Sequence, residues 1–413
     1  MRESAPHSAP ERIDVLDVLR GIALLGMYVV HFNYYTSGLG GDNPSGAVRL
    51  WERIISLFIE NRFYPIFGML FGVGFAVQLQ RADARGEQFV ARFLRRIAAL
   101  AVFGFIAEGI FGYNVLFGYA LWAVPLLLVR RWSVRALVVL VVVCAASRPI
   151  SVVTRVAVLG PERAVAHMQA RGAAFQQARV DLDKANESPS WSTVIAARLR
   201  FMPLFHRQWT TLPWGSFTLF LLGLIAFRLG LFDRPEAHRR LFAGLMAFGV
   251  VAWALSNWLF PIGPVPPAIP KDATVASTAA QLFRIHGFML VRDQWLAFTY
   301  IGAVLLLVAS SRAWIARLSA FAWTGRMALT NYMVQVILVD VLFEPHGFGL
   351  HVAPLMAPVY ALLLFAAQSV FARYWLAHYR FGPLEWIWRS VTYWRVQPLR
   401  IDPIAPAPAV APA

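Results

Sequence analysis

The sequence predicts an all-α, polytopic integral membrane protein with about ten transmembrane helices and with both termini in the cytoplasm. Of its 413 residues, 58% are hydrophobic and only 15% are charged, and the mean hydropathy is +0.56. A soluble chain carries about a quarter charged residues. Many apolar runs also approach the ~20 residues that cross a bilayer, so the lipid bilayer is the first expected partner.

Run length alone places the predicted spans. They cover approximately residues 16–36, 54–79, 92–112, 114–130, 134–154, 212–232, 241–260, 293–310, 326–344 and 352–373. Arginines cluster in the loops 80–96, 130–135, 228–240 and 311–317 and in the tail from residue 380. With ten spans and a cytoplasmic N-terminus, every one of these clusters faces the cytoplasm, as the positive-inside rule requires.

The predicted organisation has four parts. Residues 1–154 form a five-helix half, and residues 155–211 form an outer polar segment expected to be an amphipathic helical hairpin. Residues 212–400 form the C-terminal half, whose Pro-rich stretch 260–292 is an irregular outer segment and a candidate lid. The Ala/Pro-rich tail 401–413 is expected to be disordered.

Charge and composition exclude several classes of function. The net charge of +16 would favour nucleic acid in a soluble protein, but here the basic residues lie in short loops, so nucleic acid is not an expected partner. Cys144 is the sole cysteine, which rules out a disulfide within one chain. The nine histidines show no HxxxH or HExxH spacing, so no metal site is expected.

The first span carries the most informative pair of residues, Arg20 and His31. Eleven residues separate them, which is about three helical turns, so they share a face about 16 Å apart. Asp17 lies three residues before Arg20 and can pair with it. An ionisable residue inside a span is a functional candidate by default. The alternative is a helix-end ion pair with a snorkelling arginine.

Two further ionisable residues lie in the second and third spans. Arg62 falls inside an apolar stretch, where it is either an anion contact in an outer cavity or an arginine that snorkels to the outer headgroups. Glu108 in the third span is a candidate to orient His31, as a carboxylate does for a general base.

The ninth span opens with Arg326 on the cytoplasmic side, where it can hold a phosphate. Asn331 and Gln335 follow four residues apart and share a face. They are candidates to contact substrate or stabilise an oxyanion, and the alternative is polar contacts that hold neighbouring helices together.

Four motifs together resemble the YeiB-like membrane proteins, whose C-terminal half is catalogued as domain of unknown function 418. They are LDVLRGIALLG at 16–26, LFG at 70–72, GRMALTNY at 325–332 and FGPLEWIWR at 381–389. The first helix also resembles the transmembrane acyltransferase superfamily, which includes the acyltransferase-3 and heparan-glucosaminide acetyltransferase proteins. In the acyltransferase-3 proteins an Arg-Gly pair precedes a catalytic His by the spacing that separates Arg20 from His31.

Two departures from the family pattern matter. YeiB-like proteins usually carry Asn where this chain has His31, so the chain is closer to the acyltransferases at that position. They also usually carry a His and a Gly-Asp-Ile-Leu element near the third and fourth spans. Here that region is Ala107-Glu108 and Asn114-Val115-Leu116.

The resemblance implies a membrane-bound acyltransferase that uses acyl-CoA as donor and needs no metal. The donor phosphates would meet Arg20 and Arg326, while His31 would be the general base for a hydroxyl or amine of a glycan, lipid or metabolite. A transporter or lipid-handling protein, in which Arg20, Arg62 and Arg326 line an anion path, is the alternative, and a structural or stress-related membrane protein is the third option. The expected location is the bacterial inner membrane. Whether the protein forms a homodimer is left open.

Overall fold

The computed structural model describes residues 14–36, 45–112, 114–209, 215–233, 235–259, 274–282, 294–311 and 313–401. Regular structure within them is helical, apart from one isolated antiparallel bridge between Tyr379 and Arg400. The expected disordered tail, except Ile401, and most of the Pro-rich candidate lid lie outside the described residues.

The helices follow one another closely along the chain. The N-terminal half contains α1 (Asp14–Thr36), α2 (Gly46–Ile54), a π-helical turn (Ile55–Ile59), α3 (Tyr64–Ala84), α4 (Phe89–Phe111), α5 (Leu116–Ala123), α6 (Leu126–Val129) and α7 (Val134–Leu159). The polar segment predicted at 155–211 contains α8 (Pro161–Asn186) and α9 (Trp191–Trp209).

The C-terminal half begins with α10 (Ser216–Arg228), a 3-10 turn (Pro235–His238), α11 (Arg239–Leu259) and α12 (Val275–Leu282). It continues with α13 (Trp295–Ser310), α14 (Ala313–Arg317), α15 (Ser319–Arg326) and α16 (Ala328–Phe343). After a 3-10 turn (Pro354–Met356), α17 (Ala357–His378) and α18 (Pro383–Tyr393) complete it.

Five helical segments in the described residues are long and apolar enough to cross a membrane, and a sixth span results if the bent pair α15–α16 counts as one. The five lie at Val15–Thr36, Gly46–Ala84, Val134–Leu159, Pro235–Leu259 and Pro354–His378. Two shorter apolar helices, α10 and α13, come in addition. Each of the ten predicted runs overlaps a helix of the structure, so the fold is a helical membrane bundle.

Three of the predicted runs are interrupted. The run 54–79 breaks at Asn61, whose φ of 60° ends the π-helical turn before α3 begins. The run 114–130 breaks at Pro125, which lacks a backbone N–H and so cannot continue α5. At Met327 the chain turns by 83° between α15 and α16, so the span predicted at 326–344 is the second arm of a bent pair.

Helix α1 lies at the centre of the bundle, with most of its length buried. It crosses α15 where Gly21 and Gly325 face the other backbone; a Cβ on either would overlap the carbonyl oxygen of Phe321 or of Asp17. Helices α3 and α10 cross in the same way through Gly72 and Gly223. Small residues at such crossings let membrane helices approach closely.

Helices α7 and α11 form the periphery. Both are strongly apolar, yet only a small part of each is buried. Large apolar side chains such as Val139, Val142 and Val251 are exposed along them. In a membrane protein, a large apolar surface that is not packed against other helices is in contact with the bilayer. These helices therefore face lipid.

Candidate functional site

His31 lies near the C-terminal end of α1, where α16 packs against it. The Gln335 Nε2 atom donates a hydrogen bond of 2.8 Å to His31 Nδ1. The Tyr332 ring lies 6.1 Å from the His31 imidazole, centroid to centroid. Two of the predicted site residues, 304 positions apart in the chain, are therefore in direct contact.

The hydrogen bond to Gln335 decides which nitrogen of His31 carries the proton. When the amide donates to Nδ1, the neutral imidazole carries its proton on Nε2. If the amide turns by half a rotation, its oxygen accepts from Nδ1–H and leaves Nε2 free to accept a proton. Gln335 is fully buried, and its Oε1 has no hydrogen-bond partner among the described residues. It is therefore available for a group that enters the site.

Asn331 has a different environment from Gln335, although four residues separate them on α16. Its Nδ2 donates to the carbonyl oxygen of Thr324 at 2.9 Å, across the bend from α15. The backbone carbonyl oxygen of Asn331 accepts from the Tyr28 hydroxyl at 3.3 Å and from Gln368 Nε2 at 3.4 Å. Asn331 therefore holds the bend together, whereas Gln335 faces the candidate base.

Glu108 is buried, and its hydrogen bond goes to His206 of α9 rather than to His31. The distance between Glu108 Oε2 and His206 Nε2 is 2.8 Å. Aromatic rings of Phe117 and Phe205 contact the His206 imidazole edge-on, at 5.0 and 5.4 Å between centroids. Glu108 thus orients a histidine, but a different one from the predicted partner.

Helix α9 supplies several buried polar contacts that the sequence analysis did not identify. Its buried side chains recur at every fourth position: Val194, Arg198, Met202 and His206. That spacing puts them on one face of the helix, and it was visible in the sequence.

Arg198 on this buried face of α9 makes two hydrogen bonds to the Asp340 carboxylate of α16, at 2.5 and 3.2 Å. His346 completes the group at 3.1 Å from Asp340. Bidentate contacts of this kind are the strong form of an arginine–carboxylate pair. They fix α9 to α16, the helix that carries Gln335.

Arg62 is only 1% exposed, so it does not snorkel to the headgroups. Its guanidinium donates to the carbonyl oxygens of Glu60 and Leu57, the latter at 3.1 Å. These carbonyls end the π-helical turn, where the helix has unsatisfied acceptors. The structure therefore gives Arg62 a part in closing a helix end, and its role as an anion contact stays a prediction.

Arg20 pairs with Asp17 at 2.6 Å, as the three-residue spacing predicts. Arg326 ends α15, directly after Gly325, which packs against the backbone of Asp17 and Gly21. The two predicted phosphate ligands therefore lie at the same crossing of α1 and α15.

The motifs GRMALTNY at 325–332 and FGPLEWIWR at 381–389 are in contact through Glu385, which the sequence analysis did not single out. Its Oε1 accepts hydrogen bonds from the backbone N–H groups of Leu329 and Thr330, at 2.7 and 3.1 Å. Its Oε2 accepts from the Thr330 hydroxyl at 2.5 Å. A carboxylate at this position satisfies the free N–H groups at the start of α16 and interacts favourably with the helix dipole.

The surroundings of Glu385 explain the residues next to it in the motif. Burial raises the pKa of its carboxyl, against the lowering effect of the bonds from Thr330 and Leu329. Gly382 lies so close that a Cβ there would overlap Glu385 Oε2 and come within 3.0 Å of Thr330 Oγ1. The acidic residue that follows Gly-Pro at a helix start was the available sequence signal.

Among the residues that the structure describes, no three His, Cys, Asp or Glu side chains come together in an arrangement that can hold a metal ion.

Two families match different parts of the chain. Residues 12–163 match the family described as "Heparan-alpha-glucosaminide N-acetyltransferase, catalytic", and this segment contains Arg20 and His31. Residues 226–395 match the family described as "Protein of unknown function (DUF418)", which contains Gln335 and Glu385. The described His31–Gln335 contact joins these two segments.

Full-length relatives are similar along nearly the whole chain. The uncharacterized protein YxaH of Bacillus subtilis is 31% identical over 420 residues, which is 97% of this chain and 98% of that protein. An uncharacterized 39.9 kDa protein of Bacillus acidopullulyticus is 29% identical over 95% of this chain and 97% of its own length. The uncharacterized protein YeiB of Escherichia coli is 38% identical over 73 residues, 18% of this chain and 19% of that protein. The chain therefore belongs to the YeiB-like membrane protein family, whose C-terminal part is the DUF418 region.

Proposed function

We propose that this protein is a membrane-bound acyltransferase that moves an acyl group, acetyl in the first instance, from acyl-CoA to a hydroxyl or amine. One observation carries the proposal. His31, in the segment similar to a catalytic acetyltransferase family, is held by Gln335, whose amide oxygen is free to accept a further hydrogen bond.

In the proposed reaction the Gln335 amide is turned so that its oxygen accepts from His31 Nδ1–H. His31 Nε2 then removes the proton from the acceptor hydroxyl or amine as the acceptor attacks the thioester carbonyl carbon. The carbonyl oxygen gains negative charge, which the Gln335 amide N–H can stabilise when the site is occupied. The carbon–sulfur bond then breaks, and the CoA thiolate takes the proton from His31. Arg20 and Arg326 hold the donor phosphates.

The acceptor is a glycan, lipid or metabolite on the outer side. The proposed topology has ten spans and two cytoplasmic termini in a bacterial inner membrane. In this topology Arg20 and Arg326 lie near the cytoplasmic surface and His31 lies toward the outer one. Glu108 stays a candidate catalytic residue only if His206, its hydrogen-bond partner, also faces the reaction.

A lipid-handling function without covalent chemistry is the second candidate, and one cavity favours it. A cavity of about 240 Å³ opens between α16 and α17 on the side of the bundle. It is lined by Thr330, Asn331, Val334, Ala367, Gln368 and Phe371. Exposed apolar residues at its rim and buried polar ones at its floor suit a lipid.

The test is hydrolysis of acetyl-CoA by the purified protein in detergent, with and without a mixture of small alcohols and amines as acceptors. We expect His31→Ala to abolish turnover and Gln335→Leu to lower it at least tenfold, while both variants melt like the wild type. His167→Ala, which changes an exposed histidine on α8, is the matched control. Unchanged turnover in His31→Ala would overturn the assignment of His31 as the base, whereas no turnover in folded wild type would favour the lipid-handling function.

A further inference from the structure

The cavity between α16 and α17 opens on the lipid-facing side of the bundle. Its rim consists of three exposed residues, Val334, Ala367 and Phe371. From this rim the exposed side chains of α17 continue along one stripe with helical spacing, which contains Leu363, Ala367, Val370, Phe371 and Tyr374. An apolar stripe that is not packed against other helices is in contact with the bilayer, so a ligand enters this cavity from the lipid phase.

The floor of the cavity is polar, and one of its side chains has an acceptor that no described residue uses. Gln368 lines the cavity and is only 6% exposed, and its Oε1 atom has no hydrogen-bond partner in the described part of the chain. The side chains of the other two floor residues donate to the protein, Thr330 to Glu385 and Asn331 to the carbonyl oxygen of Thr324. A buried acceptor without a partner is costly, so Gln368 marks a place for a donor.

The neighbouring backbone decides which atom of the Gln368 amide faces which way. Nε2 donates to the carbonyl oxygen of Asn331 at 3.4 Å. An amide turned by half a rotation would place two oxygens, both acceptors, against each other. Gln368 therefore presents an acceptor to a ligand, and the ligand must bring a donor. The oxygen of an ester, an ether or an ionised phosphate does not meet this requirement.

The lining also limits the charge and the size of the ligand. None of the six described lining residues is charged, and a charged group that leaves water without a partner is strongly disfavoured. The volume of about 240 Å³ lies below the range of about 300–1,000 Å³ for pockets that enclose a whole small molecule. The cavity therefore holds the polar end of a ligand, while the rest lies along the exposed stripe of α17.

We propose that this cavity binds an uncharged lipid through a free hydroxyl group, which donates a hydrogen bond to Gln368 Oε1. A glycerol lipid with one free hydroxyl, of the diacylglycerol class, has the required chemistry, since it joins an uncharged donor to apolar chains. The proposal deepens the lipid-handling function by naming the class of lipid. What the protein does with the bound lipid rests on the proposed function, whereas the binding site itself does not.

The experiment measures the binding of two matched lipids to the full-length protein in neutral detergent. Dioctanoylglycerol has a free hydroxyl, and its methyl ether keeps the oxygen and both chains but has no proton to donate. Each lipid competes with a photoactivatable diacylglycerol, whose crosslinks are located by mass spectrometry. The variants are Gln368→Leu, which removes the acceptor, and Ala367→Phe, which fills the mouth of the cavity. Ala366→Phe is the matched control, because Ala366 is also exposed on α17 but does not line the cavity.

We expect the wild type to bind dioctanoylglycerol about tenfold more tightly than the methyl ether, which corresponds to one net hydrogen bond. In Gln368→Leu the two lipids should bind with similar affinity. This variant should melt like the wild type, because the Asn331 carbonyl keeps its hydrogen bond from the Tyr28 hydroxyl. Ala367→Phe should weaken the binding of both lipids, and Ala366→Phe should bind them like the wild type.

Equal binding of the two lipids by folded wild type, or a preference that persists in folded Gln368→Leu, overturns the site. Crosslinks that lie away from Val334 and Phe371 do so as well. Lipid binding with neither turnover of acetyl-CoA nor movement of dioctanoylglycerol between vesicles supports the site and contradicts both proposed functions. Either activity without lipid binding contradicts the site alone.

Discussion

At the scale of single residues, two of the contacts that organise this protein join a side chain to a backbone. Glu385 accepts from two N–H groups of α16, and Arg62 donates to two carbonyl groups of the π-helical turn. Both satisfy groups that a helix end leaves without a partner. In apolar surroundings such groups are costly when unpaired, so these two side chains make it possible for helices to begin and end inside the bundle.

Replacing Glu385 with Ala should therefore destabilise the protein strongly. Two N–H groups and the Thr330 hydroxyl lose their acceptor, and each buried unsatisfied donor costs about 1–3 kcal/mol. We expect a loss of at least about 2 kcal/mol in unfolding free energy, measured by titration with SDS in mixed micelles. Glu162→Ala, in the exposed first turn of α8, is the control and should cost less than about 1 kcal/mol. Equal losses would contradict the capping role.

The carboxyl of Glu344, just beyond the last residue of α16, should make stability depend on pH. Burial and the nearby Asp340 raise its pKa from 4.5 to about 7. Between these values the folded state binds more protons than the unfolded state, so stability falls as pH rises through this window. Allowing for its partial exposure, we expect a loss of about 1–2 kcal/mol.

The measurement is the melting temperature in detergent at pH 5 and pH 8. Glu344→Gln should reduce the difference between the two pH values, because the neutral amide cannot ionise. Glu187→Gln, at the exposed end of α8, should leave the difference as it is in the wild type. Parallel pH curves for the wild type and Glu344→Gln would show that another group is responsible.

At the scale of the helices, close crossings depend on individual glycines. Gly72 and Gly74 lie two residues apart on α3, but only Gly72 faces α10. A methyl group at Gly72 would overlap the carbonyl oxygen of Phe220, whereas one at Gly74 meets nothing within 4 Å. Since a backbone cannot rotate aside as a side chain does, we expect Gly72→Ala to cost about 1–3 kcal/mol.

Gly74→Ala should be neutral or stabilising by about 0.5–1 kcal/mol, because alanine loses less backbone entropy than glycine in a helix. Comparing the two variants by SDS titration keeps the helix and the substitution constant. A similar loss in both would mean that the crossing of α3 with α10 does not determine the effect.

The helices could be predicted from run length, whereas their interruptions could not. The ends of α7 and α11 agree with the predicted runs to within about five residues because both helices are apolar over most of their length. The bend at Met327 is bridged by the bond from Asn331 to Thr324, and Glu385, 56 positions away from Leu329, caps the helix that follows it, so a local pattern does not fully contain the bend. Helix α9 was treated as surface because Arg198 and His206 count as polar, although both are buried against charged partners.

In the candidate site, too, relations within one helix could be predicted from the sequence, whereas contacts between helices could not. Arg20, Asp17 and His31 share one helix, so their relation followed from spacing. The contact of His31 with Gln335 joins the two halves of the chain, and both residues were predicted without their pairing. For Glu108 the sequence indicates only a depth in the membrane similar to that of His31, whereas its hydrogen-bond partner, His206, comes from α9.

At the scale of the whole molecule, the proposed topology sets which loops face each side of the membrane. In a Cys144→Ser background, which removes the sole cysteine of the sequence, single cysteines can be introduced at exposed loop positions. Arg85→Cys lies between α3 and α4, and Glu187→Cys lies between α8 and α9.

A membrane-impermeant maleimide added to intact cells should label Glu187→Cys. It should label Arg85→Cys only after permeabilisation, because that loop is expected in the cytoplasm. The Cys144→Ser parent should stay unlabelled in both conditions. Labelling of Arg85→Cys in intact cells would reverse the proposed orientation or change the number of spans between the two loops.

The bond from Glu385 to α16 also has an evolutionary consequence. Its carboxylate contacts the N–H groups of Leu329 and Thr330, and every residue except proline offers an N–H group. Position 329 is therefore free to drift among apolar residues while the contact persists. Position 385 has no such freedom, since few side chains bring two oxygens to that place. The two motifs should therefore diverge at different rates, and position 385 should change more slowly than position 329.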